Sequence, residues 1–211
     1  MRLYSFFRSS AAFRVRIALN LKGVDYETVA VDLPHDRHRE PDFLETNPQA
    51  TIPVLDDDGT ILWQSLAIIE YLDSRFPEPR LIPAEPVARA RVQALAQLIV
   101  CEIHPLNNLR VLRYLRGNLD LDDAAVSRWY EHWIAQGFTG LEMLVKRWSG
   151  GRYCFGDSVS VADVCLVPQV YNARRFDCDL APYPTLVRIA DALRAEPAFD
   201  RAAPERQPDA V

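Results

Sequence analysis

The stretch YSFFRSSAAFRVRIALNLKG, residues 4–23, decides how the chain begins to fold. It opens as an apolar strand, and in its second half the apolar residues recur at helical spacing, at Phe13, Ile17 and Leu21. Gly23 suits the position that follows a helix C-terminus. Ser9 and Ser10 stand between the two patterns, and small hydroxyl side chains are favoured N-caps. The stretch therefore predicts a strand over 1–7, a helix over 10–22, and two hydroxyls where they meet.

Mixed strand and helix patterns continue only to about residue 80. Strand signals cover 26–33 and a hairpin whose arms are 52–55 and 60–63, and SLAIIEYLDSRF at 65–76 has helical periodicity. The segment PEPRLIPAEP holds four prolines in ten residues, which excludes a regular helix. Beyond it the pattern is helical, over 87–116, 122–148, 160–175 and 184–196, with a polar and loosely held tail from Pro204. We predict an α/β domain over 1–80, a linker over 77–86 and an all-helical domain over 87–211.

Composition and charge argue against several classes of protein. The 211 residues carry a net charge of −5 and no basic block, which disfavours nucleic acid as a partner. No apolar run has the length of a membrane span and the start lacks a signal-peptide pattern, so we expect a cytoplasmic protein that does not bind membranes. The four cysteines form no CxxC pair. His35 and His38 fall in a polar stretch that is typical of a solvated loop, so we predict no metal site.

Two local signals stand out in the second half of the chain. Ser160 precedes Asp163 by three residues at the start of an apolar run, which resembles a capping box with Asp in place of Glu or Gln. Arg174 and Arg175 lie near a predicted helix end, where cations offset the negative end of the helix dipole. Taken alone, both signals favour a structural role.

The motifs of the chain resemble those of the zeta-class glutathione transferases. RSSAAFRVRIALNLKG is similar to the signature of that class, and so are NPQATIPVL, QSLAIIEYL, HPLNNLRVLRYL, the run from FGDSVSVAD to PYPTL, and the late RQPD. These similarities run from end to end of the chain. The resemblance implies the glutathione transferase fold: a thioredoxin-like α/β domain that binds glutathione, followed by an all-α domain that contributes the substrate site. It also implies a homodimer.

The zeta class includes maleylacetoacetate and maleylpyruvate isomerases, so the resemblance implies glutathione-dependent cis–trans isomerisation of an unsaturated dicarboxylate. Adding a thiolate to the conjugated double bond makes it single for a moment, and elimination after rotation gives the fumaryl isomer. The residues do not distinguish the two substrates. Two alternatives stay open: a zeta-type transferase acting on α-halo acids, and a non-catalytic glutathione-fold binding protein. A thioredoxin-like redox role is disfavoured because the junction after the first strand has no cysteine.

The resemblance assigns Ser9 and Ser10 to the glutathione thiol. The thiolate is the attacking form, and a free thiol is mostly protonated near neutrality. A serine hydroxyl and a helix N-terminus both favour negative charge on sulfur. The family position favours Ser9, although the sequence does not decide between the two. The family commonly has a cysteine where this chain has Ala11, which leaves glutathione as the sulfur nucleophile.

The dicarboxylate needs local cations, because the chain as a whole is negative. Arginine suits this task since its fork can bind both oxygens of a carboxylate. Arg8 directly precedes the two hydroxyls, and Arg175 matches the family arginine better than Arg174 does. Arg8 and Arg175 could also stabilise the charge that develops on the substrate. We assign Arg14 and Arg16, in the RVRI stretch, to the structure.

The remaining predicted glutathione contacts come from matching family motifs. Gln64 and Ser65 would hold the γ-glutamyl end, with Ser65 opening a helix whose N-terminus suits a carboxylate. Ile52 would pair through its backbone with the cysteinyl part, because Pro53 is expected to be cis in this fold. Four further residues are assigned on the resemblance alone, namely His38 at the glycyl carboxylate and His104, Asn108 and Arg110 in the cleft.

Overall fold

The computed structural model describes residues 1–210 and divides the chain into two compact units. The first unit comprises Met1–Arg80 together with the chain from Arg194 onward, and the second comprises Leu81–Leu193. The predicted boundary between an α/β part and a helical part therefore lies within the proline-rich segment.

The first unit is built on a four-stranded mixed sheet in the order β2-β1-β3-β4. Its strands are β1 (Arg2–Ser5), β2 (Glu27–Ala30), β3 (Val54–Asp57) and β4 (Thr60–Trp63). β1 runs parallel to β2 and antiparallel to β3, so that Leu3 pairs with Thr28 on one side and Leu55 on the other. The central position of β1 delivers the following residues to one end of the sheet.

Four helices accompany this sheet: α1 (Ser10–Leu21), α2 (Pro41–Thr46), α3 (Ser65–Arg75) and, much later in the chain, α9 (Pro197–Ala202). α1 contacts both α3 and α9, which buries almost its whole circumference. It ends as predicted, with Lys22 as the C-cap and Gly23 at a φ of 65°. The first helix is therefore the core element of the first unit.

The hairpin differs from the prediction by a shift of two residues. We expected a strand over 52–55 and a turn over 56–59, whereas β3 continues to Asp57 and the turn falls at Asp58 and Gly59. Asp56 tolerates a strand position because its carboxylate accepts from the Gly59 amide at 2.8 Å and from Arg2 at 2.5 Å. The helix α2 was not predicted, since it is six residues long and buries a single side chain, Phe43.

The C-terminal segment also differs from the prediction. We assigned it to a helical domain over 87–211 and expected a loose tail from Pro204, but the chain from Arg194 onward groups with the first unit. Phe199 and Ala202 are fully buried, and the side chain of Asn20 in α1 donates to the Ala198 carbonyl at 2.9 Å. Pro204 and Gln207 are buried as well. The polar composition of the tail did not predict this packing, because backbone carbonyls of the segment accept several of the hydrogen bonds that hold it.

The second unit is helical, as predicted. It contains α4 (Pro86–Gln97), a π-helical segment (Leu98–Ile103), α5 (Leu109–Asn118), α6 (Asp123–Trp148), α7 (Val161–Arg175) and most of α8 (Pro184–Arg194). α7 is the central helix, because its first ten residues are all buried, and α4 packs against both α6 and α7. In the part of the chain that the structure describes, no helix has the length and apolar character needed to cross a membrane.

The helix predicted over 87–116 is interrupted. The π-helical segment ends at Ile103 with His104 as its C-cap, Pro105 follows, and Asn108 is the N-cap of α5. A Cβ at Gly137 of α6 would overlap the Ile103 side chain, so the glycine permits a close approach at this point. The interruption sets His104 and Asn108 at the ends of two successive helices.

The capping signal at the start of α7 is confirmed by the contacts of a buried carboxylate. Asp163 accepts from the Ser160 amide at 2.9 Å, from the Ser160 hydroxyl at 2.8 Å and from the Cys154 amide at 2.7 Å. Burial raises the pKa of the Asp163 carboxyl, whereas the hydrogen bonds from Cys154 and Ser160 act in the opposite direction. The carboxylate thus fixes both the start of α7 and the loop before it.

We predict that Asp163→Ala lowers the free energy of unfolding by about 2–4 kcal/mol, because three donors lose their acceptor. Urea unfolding followed by circular dichroism measures this change. Asp163→Asn keeps one acceptor oxygen and should cost less. Asp123→Ala is the matched control, since that side chain is 88% exposed. Equal losses for Asp163→Ala and Asp123→Ala would contradict the capping role.

Candidate functional site

The junction between β1 and α1 is organised around Ser9. Its amide donates to the Phe6 carbonyl at 2.9 Å, and its hydroxyl oxygen caps α1 by accepting from the Ala12 amide at 3.2 Å. Because an accepting hydroxyl keeps its own proton, the Ser9 O–H can still donate to another group. Ser10 is the first helical residue and is buried. The helix cap and the predicted thiol contact therefore fall on the same residue, Ser9.

Arg8 provides a positive charge next to this junction. Its side chain is exposed, and its guanidinium carbon lies 4.8 Å from the centroid of the Phe7 ring. That ring is buried, so the cation is held over a fixed aromatic face. A guanidinium stays protonated throughout the physiological range. The arrangement places a permanent cation one residue before the hydroxyl of Ser9.

The buried guanidinium of Arg16 stabilises the junction through hydrogen bonds. Its donors reach the Ser5 hydroxyl at 3.0 Å, the Phe7 carbonyl at 3.0 Å and the Ala202 carbonyl at 2.9 Å. Burial lowers the pKa of Arg16 to about 10, so the group remains charged at neutral pH. These contacts agree with the structural role predicted for Arg16.

The start of α3 presents a second hydroxyl of the same kind. Ser65 is the first helical residue and is buried, and its hydroxyl oxygen accepts from the Arg14 guanidinium at 3.4 Å. The Ser65 O–H proton is consequently available as a donor. The first helical hydrogen bond runs from the Ile68 amide to the Gln64 carbonyl, so the preceding amides of this turn have no acceptor within the helix. This is the donor arrangement that an anion requires.

Gln64 adopts a left-handed backbone conformation, with a φ of 68°. Its side-chain amide donates to the Gln49 side-chain oxygen at 2.8 Å. Sequence reasoning missed Gln49, although its place in NPQATIPVL was a signal. The same motif contains Asn47, whose side chain donates to the Thr51 carbonyl at 2.7 Å and accepts from the Gln49 amide at 3.0 Å. Asn47 thus shapes the loop that precedes Pro53.

The Ile52–Pro53 peptide is cis, as predicted. Ile52 is half-buried and packs against the apolar cluster of Val31, Phe43 and Val54. The two residues directly precede β3, which pairs with β1. Their predicted backbone contact with the cysteinyl part of glutathione stays a prediction.

His38 lies in a short 3₁₀ helix (Arg37–Arg39), apart from the junction residues along the chain. Its Nε2 atom is 3.8 Å from the Asp36 carboxylate. His35 contacts Asp32 at 2.6 Å, and this hydrogen bond lowers the pKa of the Asp32 carboxyl. Within residues 1–210, no group of three or more His, Cys, Asp or Glu side chains is placed to hold a metal ion.

In the second unit, three predicted residues lie where the π-helical segment ends and α5 begins. His104 closes the π-helical segment, and its amide donates to the Ile99 carbonyl at 2.9 Å. Asn108 caps α5 by accepting from the Arg110 amide at 3.2 Å. Arg110 is exposed in the first turn of α5. The structure therefore joins Asn108 to Arg110 and gives the Asn108 side chain a capping role besides the predicted one.

The two adjacent arginines at the end of α7 have different surroundings. Arg174 makes a double contact with the Asp191 carboxylate, at 2.6 and 3.0 Å. Arg175 is exposed and stands 4.6 Å from the centroid of the Phe176 ring, which in turn stacks on Tyr130 at 3.9 Å. Arg174 is thus committed to a carboxylate of its own chain. The preference for Arg175 over Arg174 as the substrate cation stays a prediction.

Comparison with known proteins identifies the chain. The N-terminal domain model of glutathione S-transferase matches residues 1–74, and the C-terminal domain model matches residues 127–203. A Vibrio cholerae protein named "Probable maleylacetoacetate isomerase" is 55% identical, over 99% of this chain and 97% of its own length. The chain belongs to the glutathione S-transferase family. The resemblance drawn from the motifs is thereby confirmed.

Solved structures agree with this family membership. The holo structure of a maleylpyruvate isomerase, described as a bacterial zeta-class glutathione S-transferase, aligns over the full length of both chains with a TM-score of 0.97 and 47% identity. A maleylacetoacetate isomerase from Methylobacterium extorquens AM1, with bound malonate and glutathione, aligns over both full chains with a TM-score of 0.93 and 44% identity. The predicted zeta-class fold is confirmed.

In this glutathione S-transferase, α1 connects two parts of the predicted site. Ser9 caps the helix, and Arg14, from its second turn, contacts Ser65 at the start of α3. Sequence reasoning assigned Arg14 to the structure and missed this contact. An arginine among the apolar residues of a predicted helix was the signal, and the structure shows it completely buried, where a cation requires specific partners.

We predict that Arg175→Met raises the KM for a maleyl diacid about tenfold or more, because one charge-assisted contact worth about 1.5–3 kcal/mol is lost. Arg174→Met is the matched control, and it should leave KM nearly unchanged because Arg174 is occupied by Asp191. Steady-state kinetics at saturating glutathione provide the measurement. A larger effect from Arg174→Met would reverse the assignment.

Proposed function

We propose that this glutathione S-transferase is a glutathione-dependent cis–trans isomerase that converts maleylacetoacetate or maleylpyruvate to its fumaryl isomer. The observation that carries the proposal is the β1–α1 junction, where the Ser9 hydroxyl keeps a proton to donate and the preceding residue, Arg8, is an exposed cation. Similarity to isomerases over the full chain favours this function over halo-acid transfer and over a non-catalytic binding role.

The residues of the first unit fit glutathione. The Ser65 hydroxyl and the amides at the start of α3 offer donors to the γ-glutamyl carboxylate. Gln64 sits at the same helix start and is fixed by Gln49. The backbone of Ile52, before the cis Pro53, would hold the cysteinyl part, and His38 would contact the glycyl carboxylate.

Bound glutathione supplies the thiolate that adds reversibly to the conjugated double bond. Ser9 would donate a hydrogen bond from its hydroxyl to the sulfur, and the N-terminus of α1 would stabilise the negative charge by about 0.3–2 kcal/mol. Ser10 adds the amide of the first helical residue. Both contributions favour the thiolate over the thiol near neutral pH. Ala11 offers no thiol of its own.

Arg8 and Arg175 bind the carboxylates of the substrate. The chain has a net charge of −5, so a dianion must be attracted by local cations. Arg8 precedes Ser9 directly, and this adjacency lets one side chain orient the diacid toward the sulfur that Ser9 polarises. The same cation stabilises the negative charge that develops on the substrate.

From the second unit, we assign His104, Asn108 and Arg110 to contacts with glutathione. We further propose that the enzyme is a cytoplasmic homodimer. These assignments are supported by the family resemblance. Light scattering on the purified protein tests the oligomeric state, and single alanine variants of the three residues test the glutathione contacts through the KM for glutathione.

We predict turnover of maleylacetoacetate or maleylpyruvate by the purified protein only when glutathione is present. Substoichiometric glutathione should suffice, because elimination regenerates it. S-Methylglutathione is the matched control, since it keeps the peptide but has no ionisable thiol. Loss of the cis substrate and formation of the fumaryl product are followed by chromatography. If neither diacid reacts, or if S-methylglutathione supports turnover, the proposal is wrong.

We predict different kinetic effects for the two junction residues. Ser9→Ala should lower kcat about 10- to 100-fold, because a donor to the reacting atom is removed. Ser9→Thr retains the hydroxyl and the cap, and it should recover most of this loss. Arg8→Met should act mainly on the KM for the diacid. Wild-type kinetics in both Ser9→Ala and Arg8→Met would show that the site lies elsewhere.

A further inference from the structure

The last described residues of the chain are fixed against the first unit. The Gln207 side-chain amide donates to the Arg201 and Ala203 carbonyls, both at 2.9 Å. The backbone amide of Gln207 donates to the Pro204 carbonyl at 3.2 Å. These bonds fold the tail back on α9, so that the following Pro208 and Asp209 leave from a defined point. The tail is therefore a rigid extension of the first unit.

Asp209 uses this position to reach the β1–α1 junction. Its Oδ2 atom accepts from the Phe7 amide at 2.9 Å, across a separation of 202 residues. On the other side of the same residue, Arg16 donates to the Phe7 carbonyl at 3.0 Å. The amide and the carbonyl of Phe7 are thus both held, which restricts its two backbone dihedrals. Arg8 and Ser9 follow directly, so their positions depend on this restraint.

The carboxylate of Asp209 is engaged by the protein itself, because its Oδ2 atom accepts from the Phe7 backbone amide. Its charge also lies close enough to Arg16 to favour the guanidinium form of that residue. A carboxylate near a thiolate would by itself oppose ionisation of the thiol. Arg16 offsets this effect, because the positive guanidinium and the negative carboxylate flank the same residue. Asp209 therefore contributes geometry at the junction and little net charge.

We propose that Asp209 is a positioning residue for the reaction, which fixes the Phe7 backbone and thereby orients Arg8 and Ser9. The proposal rests on the function proposed above, in which Ser9 polarises the glutathione thiol and Arg8 binds the diacid. Misplacing a reacting group by about 1 Å can reduce a rate about 100-fold, so loosening this junction has a kinetic cost even when the fold survives.

The test compares Asp209→Ala with Asp209→Asn. The alanine variant loses the acceptor and should show a kcat/KM about tenfold lower. Its KM for glutathione should stay within about twofold, since the Gln64–Ser65 contacts are untouched. The asparagine variant keeps an acceptor oxygen for the Phe7 amide and should retain at least about half of the activity. Glu205→Gln is the matched control, because it removes a nearby exposed carboxylate that faces Arg194.

A second measurement separates positioning from loss of stability. Ultraviolet titration of the bound glutathione thiol should give a higher midpoint pH in Asp209→Ala than in Asp209→Asn. Both variants lose the carboxylate charge, but only Asp209→Ala also loses the acceptor that positions Phe7 and hence the Ser9 hydroxyl. A purely structural role would change the melting temperature without moving this midpoint. The titration needs no maleyl substrate, so an isomerase assay that fails in the wild type overturns the proposed function without deciding on Asp209.

Three results would overturn the proposal. They are an activity of Asp209→Ala within about twofold of the wild type, a thiol titration midpoint that is the same in Asp209→Ala and Asp209→Asn, or an equal loss in Glu205→Gln. Circular dichroism at the assay temperature establishes that each variant is folded. A loss of activity that merely follows the folded fraction counts against positioning.

Discussion

The buried guanidinium of Arg16 is the interaction on which the first unit depends. It joins the end of β1, the loop after it and the C-terminal segment, through the Ser5 hydroxyl and the carbonyls of Phe7 and Ala202. Only arginine can serve all of these acceptors from one helix position, because its planar fork carries five donors in fixed directions. A lysine carries its three donors on a single nitrogen, which cannot reach all of these separated acceptors, so carbonyls in the core would be left without a donor.

The need of Arg16 for acceptors explains why the C-terminal segment packs in the same unit as the sheet, although the two are far apart in sequence. Burying a cation is costly unless its donors are paired with acceptors. One of the acceptors for Arg16 is the carbonyl of Ala202, a residue of α9. The chain must therefore return to the first unit after the helical one before Arg16 is fully paired. The β1–α1 junction begins at the fifth residue, but its last contact, at Ala202, comes from near the end of the described chain. An early part of the chain therefore depends on a late part for its structure.

The elements that could be predicted are those whose causes are local. The limits of α1 follow from the apolar spacing, the Ser9 cap and Gly23, and the capping contact of Asp163 lies within three residues of its partner Ser160. The six-residue α2 and the interruption at His104 depend on packing by distant residues, which a local pattern does not contain. The same is true of the tail, where Asp209 finds its partner 202 residues away. Family resemblance supplied the residue types of the site, but it did not supply their partners.

Those partners decide what the serines can do. A serine at the start of a helix is usually a cap, and a cap uses the oxygen of the hydroxyl while leaving its proton unused. The Ser9 oxygen is occupied by the Ala12 amide and the Ser65 oxygen by Arg14, so each hydroxyl is directed to donate. A thiolate and a carboxylate both require donors, and both are anions. Capping and anion binding are therefore not competing roles for these residues, because the cap uses a lone pair of the oxygen and an anion would accept the hydroxyl proton.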